Sequence, residues 1–446
     1  RIKPAELLVS DLIPSLQSSV PQTIFKDTGD SAAAAILDYL KKTQKSSLAQ
    51  INTLKAYRPG DFMFLDAATQ RNLELVQTIR DKSTKGSLLW VLDRTKTSMG
   101  SRLIRRWLLQ PLLDGKEINR RLDAVEALFN DGLKRTELGK ELSQLSDIER
   151  ITGRIATGNA NARDLIGLKE SLRRLPKIRS ISGNKPENKF SAPSDDSAEL
   201  ILRNQKTGTA NSFAGSEQEL IDLIAKSIVD EPPLAIKEGG LIKDGYDQEL
   251  DEIEQAAKGG KAWIAKLEDQ ERKRSGIKSL KVGYTRVFGY YIEVTNANLD
   301  QVPANYIRKQ TLVNGERFIT PELKEQEALI LNAAERLKEL EYNTFVEIRA
   351  KIAESTKELQ ALAQALAEID TLLSLAEVAV DNRYCRPIIV SKHHSIKVSG
   401  SRHPVVERTI GEHQFVPNDV KLDEESRFLL ITGPNMAGKS TYMRQV

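Results

Sequence analysis

The sequence predicts a multidomain, mainly α protein, with long helices, a small β module inserted among them, and α/β segments at both ends. Three observations carry this prediction. Long stretches are rich in Leu, Ala, Glu, Lys and Arg, and only 5% of residues are aromatic, a mixture that favours helix. The hydrophobic period switches from helical to two over residues 267–319 and then switches back. A glycine-rich loop ending in Lys-Ser follows a short apolar run near the end of the chain.

Along the chain, residues 1–65 read as the end of an α/β unit. Pro4 to Leu8 and Ser31 to Lys42 are expected to be helical, and Phe62-Met63-Phe64-Leu65 to form a short buried strand. Residues 66–266 read as helical. Leu103, Trp107 and Leu108 repeat at i, i+4, i+5 before a break at Pro111, and Leu122, Val125, Leu128 and Phe129 follow at helical spacing. Residues 182–196 read as a surface loop, and Pro232-Pro233 and Gly239-Gly240 as further breaks. In the β module, Leu280, Val282 and Tyr284 alternate, as do Phe288, Tyr290, Ile292 and Val294. Asn314-Gly315 between two apolar runs signals a tight hairpin. Thr320-Pro321-Glu322 then opens a helix with a capping Thr, Pro at the first position and an acid in the first turn. No Gly or Pro follows until Pro387, so residues 321–386 carry either one unbroken long helix or two that part near Asn343-Thr344. Strands are expected at Ile388 to Val390, at Ser395 to Val398 and, fully buried, at Phe428 to Ile431.

Composition excludes several classes. One cysteine, Cys385, forbids an internal disulfide, fits a reducing compartment and is expected to pack as a small hydrophobe. No apolar run approaches the ~18 residues of a membrane span, and no signal peptide precedes the first helical stretch. Arg1 is not Met, and Val446 falls inside an expected helix, so both ends read as cuts in a longer protein. The net charge of +4 is too small to identify a nucleic-acid partner by itself.

The chemistry sits in Gly433-Pro434-Asn435-Met436-Ala437-Gly438-Lys439-Ser440, followed by Thr441. Two glycines separated by four residues let successive backbone N–H groups turn inward on phosphate oxygens. The helix opening after Gly438 adds its positive end. Lys439 offers a point charge to the β and γ phosphates, and the Ser440 hydroxyl is a ligand for Mg2+. The plain alternative is a glycine-rich strand-to-helix turn without a ligand; the expected strand–loop–helix context favours nucleotide. No nucleophile–base pair is visible, so no catalytic residue is assigned.

With Thr441-Tyr442-Met443-Arg444-Gln445 added, the loop and its Pro-Asn-Met insert resemble the MutS family, in its bacterial form. Further matches run along the chain: Leu92-Asp93-Arg94-Thr95-Lys96-Thr97-Ser98-Met99-Gly100-Ser101-Arg102, Gly289-Tyr290-Tyr291-Ile292, Arg308-Lys309-Gln310-Thr311, Pro321-Glu322-Leu323-Lys324, Arg402-His403-Pro404 and Phe415-Val416-Pro417-Asn418. The resemblance implies a domain order: end of a connector domain at 1–65, helical core and lever at 66–266, β clamp on duplex DNA at 267–320, lever helices at 321–386, and the start of an ABC-type ATPase at 387–446. It also implies ATP with Mg2+, a homodimer or higher oligomer, a MutL-type partner, a bacterial cytoplasmic location near the nucleoid, and Phe415 stacked on adenine. Ordinary core packing is the alternative for Phe415. The family's mismatch-reading domain, with its Phe-x-Glu wedge, and the ATPase elements beyond the phosphate loop are not in this sequence. The chain alone is therefore expected not to hydrolyse ATP.

Weaker signals each have a bland alternative. The β module carries Arg272, Lys273, Arg274, Lys278, Lys281, Arg286, Arg308, Lys309 and Arg317, a stripe with little acid expected among its strands, suited to phosphate contacts or merely to a solvated face. Lys281, Arg286, Arg308 and Lys309 are the candidate DNA contacts. His393-His394 has no partners at metal-ligand spacing. His403 before Pro404 reads as a turn anchor, and Trp90, Trp107 and Trp263 as helix core. Together these features point to a DNA mismatch repair ATPase that switches to a sliding clamp and recruits repair partners. A recombination scaffold that clamps DNA without reading mismatches is the alternative, and a coiled-coil SMC-like ATPase would need longer heptad runs.

Overall fold

Helix starts in this chain are written as side-chain caps. Asp66, Ser87, Thr97, Asp114, Asp131, Asp147 and Asp247 each accept a backbone N–H from the first turn that follows, satisfying donors that a helix end leaves without partners. The resulting helices appear in a computed structural model that describes residues 62–182, 209–285, 289–390, 395–411, 414–435 and 437–446, with a few helical positions between 35 and 43. The expectations for Pro4 to Leu8 and for most of the 182–196 loop fall outside the described residues. The chain divides into two units, one built from residues up to 159, 167–218 and 353–446, the other from 160–166 and 219–352.

In the first unit the helices are α1 (Ala67–Asn72), α2 (Leu88–Leu92), α3 (Ser98–Leu109), α4 (Gly115–Asn130), α5 (Gly132–Leu142), α6 (Ile148–Ala156), α7 (Ala162–Leu172, which crosses the unit boundary) and α8 (Leu175–Ser182). The helix α9 (Thr209–Ser227) also crosses it. In the second unit α10 (Gln248–Ser275) leads into four strands, β1 (Lys281–Thr285), β2 (Gly289–Thr295), β3 (Ile307–Leu312) and β4 (Gly315–Ile319). They form one antiparallel sheet in the order β1-β2-β4-β3. Helix α11 (Pro321–Ala353) follows. Back in the first unit come α12 (Thr356–Asp381), β5 (Ile396–Ser401), α13 (Pro404–Ile410), β6 (Asn418–Leu422) and α14 (Lys439–Gln445). The result is mainly helical with a small antiparallel sheet, as the period changes imply. No described helix is long and apolar enough to cross a membrane.

The core of the first unit is α12. Leu359, Leu366, Leu372, Leu373 and Ala376 are buried in it, against α3, α4 and α6. It also carries a buried acid. Asp370 accepts the Lys96 N–H (2.8 Å), the Thr97 N–H (2.8 Å) and the Thr97 hydroxyl (2.7 Å). One turn on, the Ser374 hydroxyl donates to the Leu92 carbonyl (2.8 Å) and accepts from the Arg94 N–H (2.7 Å). Residues 92–97 are thereby clipped to α12. Gly100 sits so close that a Cβ there would collide with the Asp370 carboxylate.

The second unit packs one sheet face on α10 and α11. Ile264, Leu267, Leu280, Ile292, Val294, Phe318, Leu323 and Ile330 make that core. The Gly239-Gly240 break has its own anchor: Glu341 of α11 accepts N–H groups from Gly240 (2.7 Å) and Leu241 (3.2 Å).

Several expectations shift. The helix before the sheet runs to Ser275, beyond residue 266. The long helix continues through Asn343-Thr344, because Thr344 and Phe345 are buried. It breaks at Glu354-Ser355, where the Thr356 hydroxyl donates to the Ala353 carbonyl (2.5 Å) and competes with helical bonding. The hairpin tip is Val313-Asn314, so Gly315 already belongs to β4. Glycine is needed there because a Cβ would strike the Val294 carbonyl of the neighbouring strand. Residues 388–390 and 428–431 are not strands and stand exposed, with Phe428 at 81%. A parallel strand needs ladder partners, and the nearby β5 and β6 pair with each other. Phe62 makes a single bridge to Leu112, while Met63 and Phe64 are exposed. Cys385 is exposed in the segment that leaves α12. Trp90 and Trp107 are half-buried under the guanidinium groups of Arg408 and Arg121.

Replacing Asp370 with Ala takes the acceptor from the buried Thr97 N–H and the part-buried Lys96 N–H, where a fully buried donor left unpaired costs about 1–3 kcal/mol. Asp370→Ala and Gly100→Ala are each expected to lower the urea midpoint of the first unit by the equivalent of about 2 kcal/mol or more. A change under about 0.5 kcal/mol, the range of an ordinary surface substitution, would show that the clip contributes little.

Candidate functional site

Two places hold the residues singled out by sequence, and they lie in different units. The first is the loop at 433–440. Gly433 has φ +152° and Gly438 φ +87°, a backbone region that disfavours side chains. Gly438 stands directly before α14 as its N-cap, and its carbonyl accepts the Tyr442 N–H (2.9 Å). The Lys439 ammonium curls back over the loop, donating to the carbonyls of Gly433 and of Pro434 (2.9 Å for the latter). Ser440 is exposed and Thr441 half-buried in the first turn. Pro434, Asn435 and Ala437 are exposed, and Met436 lies outside the described residues. Phe415 is half-buried ahead of β6. No hydrogen bond, ion pair or ring contact among the described residues ties it to the loop, although Tyr442 of α14 donates its hydroxyl to the Asp419 carbonyl of β6 (3.1 Å).

The second place is the sheet. Register puts Lys281, Glu293, Arg317 and Gln310 in one row across its outer face. Acid is thus interleaved with base, and the cations divide into two kinds. Arg317 donates to Glu293 (3.0 Å) and Gln310 (3.0 Å) and lies 4.1 Å over the Tyr291 ring. Arg308 pairs with Glu316 (3.1 Å), Arg272 with Glu268 (2.5 Å), and Arg274 with Glu271 (2.8 Å). Lys273, Lys278, Lys281 and Lys309 are exposed and make no ion pair among the described residues. Lys309 stands at the β-bulge between Arg308 and Gln310, which turns an edge residue outward. The expected stripe is therefore arginines paired with acids plus lysines that make no ion pair among the described residues. A cue was present in sequence: Glu293 and Glu316 occupy strand positions that face the arginines. Arg286, His393 and His394 lie outside the described residues. His403 caps α13, its Nδ1 accepting the Val406 N–H (3.4 Å). Burial, reinforced by Arg444, holds its pKa below the ordinary value. No group of three or more metal-ligating side chains is found among the described residues.

Fold and loop together define a helical scaffold with an inserted antiparallel sheet and a glycine-rich loop ending in Lys439-Ser440 near its end. A family profile described as MutS domain III matches residues 68–376. The chain is 51% identical over 418 residues to the DNA mismatch repair protein MutS of Symbiobacterium thermophilum, covering 93% of this chain and 46% of that protein. It is 51% identical over 416 residues to the one of Geobacillus kaustophilus (93% and 44%) and 50% identical over 415 residues to the one of Methanosarcina barkeri (93% and 44%). The chain belongs to the MutS family. It spans about half the length of the curated relatives it matches.

The division of cations is testable by stability. Arg317→Ala removes a ring contact and two hydrogen bonds and is expected to cost about 1–2 kcal/mol. Lys309→Ala should stay within about 0.5 kcal/mol of wild type. Equal effects in chemical denaturation would refute the distinction.

Proposed function

We propose that the intact protein is a DNA mismatch repair ATPase: it binds mispaired duplex DNA, and ATP binding and hydrolysis switch it to a sliding clamp that recruits a MutL-type partner. The observation that carries this is the match over 93% of the chain to relatives named DNA mismatch repair protein MutS. That match also favours repair over the recombination scaffold. Within this proposal, residues 1–65 end a connector domain, 66–266 and 321–386 are core and lever, 267–320 is the DNA clamp, and 387–446 begins an ABC-type ATPase domain. The protein acts as a homodimer or higher oligomer, in the bacterial cytoplasm near the nucleoid.

In the ATPase segment, the positive-φ glycines Gly433 and Gly438 support a loop whose N–H groups can turn toward phosphate oxygens. Lys439 would exchange its two loop carbonyls for the β and γ phosphates. Ser440, exposed on the first turn of α14, is one hard oxygen donor of the kind Mg2+ takes, beside the phosphates themselves. Phe415 would offer its ring face to the adenine. Lys439→Ala in the intact protein is expected to weaken ATP binding and abolish most turnover; wild-type values of both would end the assignment.

For the clamp, the free lysines are the better DNA contacts, because Arg308 and Arg317 already hold acids. Phosphate contacts carry no sequence information, so matched and mismatched duplexes should be affected alike. Lys281→Glu with Lys309→Glu in the intact protein should weaken both. It should also flatten the plot of log affinity against log salt by about one unit of slope for each phosphate no longer neutralised. An unaltered slope would remove these lysines from the DNA surface.

A further inference from the structure

One contact between α14 and the helical body is made by an acid that neither motif nor period singles out. Arg444, near the end of α14, donates to Glu74 Oε2 (3.0 Å). The other oxygen, Glu74 Oε1, accepts the Ile79 N–H (2.8 Å), so one carboxylate holds both α14 and the turn that follows α1. Glu74 itself has φ +50°, and Lys82 and Gly86 in the same turn have φ +51° and +94°. Non-glycine residues stay in that region only when their surroundings impose it. From Glu74 the connection continues through main chain. Its carbonyl accepts the Leu88 N–H (3.0 Å), and the Leu75 carbonyl accepts the Leu89 N–H (2.8 Å), fixing the start of α2. The end of α2 is clipped to α12 by Ser374, which donates to the Leu92 carbonyl (2.8 Å). Arg408 of α13 clamps α2 from the side, donating to the Trp90 carbonyl (2.6 Å) with its guanidinium 4.0 Å over the Trp90 ring.

We propose that Glu74 is a positioning residue that carries the state of the loop at 433–440 into α2 and α12: a nucleotide that shifts α14 pulls on Arg444, and Glu74 converts that pull into a change at the start of α2. The proposal rests on the nucleotide reading given above. It differs from a surface ion pair in one respect: the same carboxylate is bonded to the main chain of a strained turn, so movement of Arg444 reaches the backbone and not only a side chain. The test uses the intact protein, a fluorescent non-hydrolysable ATP analogue and a mismatched duplex. Two quantities are measured for wild type, Glu74→Gln, Arg444→Gln and the exchange Glu74→Arg with Arg444→Glu: analogue affinity, and the factor by which saturating analogue changes DNA affinity. Each single variant should keep analogue affinity within about twofold and reduce the linkage factor about threefold to fivefold, the range of a partly exposed ion pair. Because Glu74→Gln keeps an oxygen for the Ile79 N–H, its turn should stay folded, and its melting temperature checks this. The exchange restores the ion pair but offers the Ile79 N–H no acceptor, so it should leave the linkage reduced; recovery of wild-type linkage in the exchange would show that the ion pair alone suffices and overturn the role of the turn. Unaltered linkage with normal analogue binding overturns the proposal. So does a collapse of analogue affinity in Glu74→Gln, which would make Glu74 part of the nucleotide site. If Lys439→Ala leaves analogue affinity unchanged, the nucleotide reading fails and this proposal falls with it, a result distinct from either of the others.

Discussion

The buried Asp370 carboxylate is the constraint on which the first unit depends. The buried face of helix α12 is mostly apolar, with Ser374 and Thr371 among its other buried polar residues, and apolar contacts alone set its register only weakly. A carboxylate removed from water tolerates no slip of that register, because an unpaired buried charge is expensive. Burial pushes the Asp370 carboxyl above its ordinary range, while the Lys96 and Thr97 N–H groups and the Thr97 hydroxyl oppose that push by favouring its charged form. Only one register of α12 against residues 92–97 supplies those donors. Thr97 then serves twice, since its hydroxyl also accepts the Gly100 N–H (3.0 Å) and so opens α3. The motif from Leu92 to Arg102 reads as a family marker; physically it is the counterpart of one acid far downstream in the chain.

The sheet applies the same logic in reverse. Arg317 is spent on holding the fold: its side chain is only 20% exposed, and its guanidinium lies across Tyr291 between Glu293 and Gln310. Guanidinium groups suit this because their planar fork satisfies two acceptors and a ring at once. Lysines, with a long flexible stem and a strongly hydrated ammonium, are left at the edges and at the bulge. The division of labour thus follows side-chain chemistry: planar forks where two acceptors and a ring converge, flexible point charges where the side chain faces solvent.

What could be read from sequence depended on how local its cause was. Periods, caps and the change from helix to sheet rest on neighbours a few residues apart, and α3, α4, β2 and the start of α11 lie where the pattern puts them. Failures came where distant chain decides. The residues at 428–431 have the composition of a buried strand but no ladder partner among the described strands. Cys385 is small and apolar, yet lies on a segment that leaves its helix and crosses open surface. Asn343-Thr344 resembles a break, but Phe345 beside it is fully buried and keeps the helix intact. The Asn-Gly pair marked a real hairpin for an incomplete reason: the glycine answers the close approach of β2, one residue past the tip.

The segment at 428–446 shows both kinds of cause within a short stretch. Its glycines take positive φ with no atom within 4 Å of where a Cβ would stand, so the backbone conformation alone requires them there, and that requirement is written locally. The apolar run just before the loop is exposed, with Phe428 at 81% and Leu430 at 79%, and what would bury it is not local at all. A loop of this kind is only as well aimed as the elements on either side of it. On one side stands an unpaired apolar segment; on the other stands α14, held by the Tyr442 hydroxyl on Asp419 and by Arg444 on Glu74. Those two contacts anchor the helix in the present fold, one to β6 and the other to the turn that follows α1.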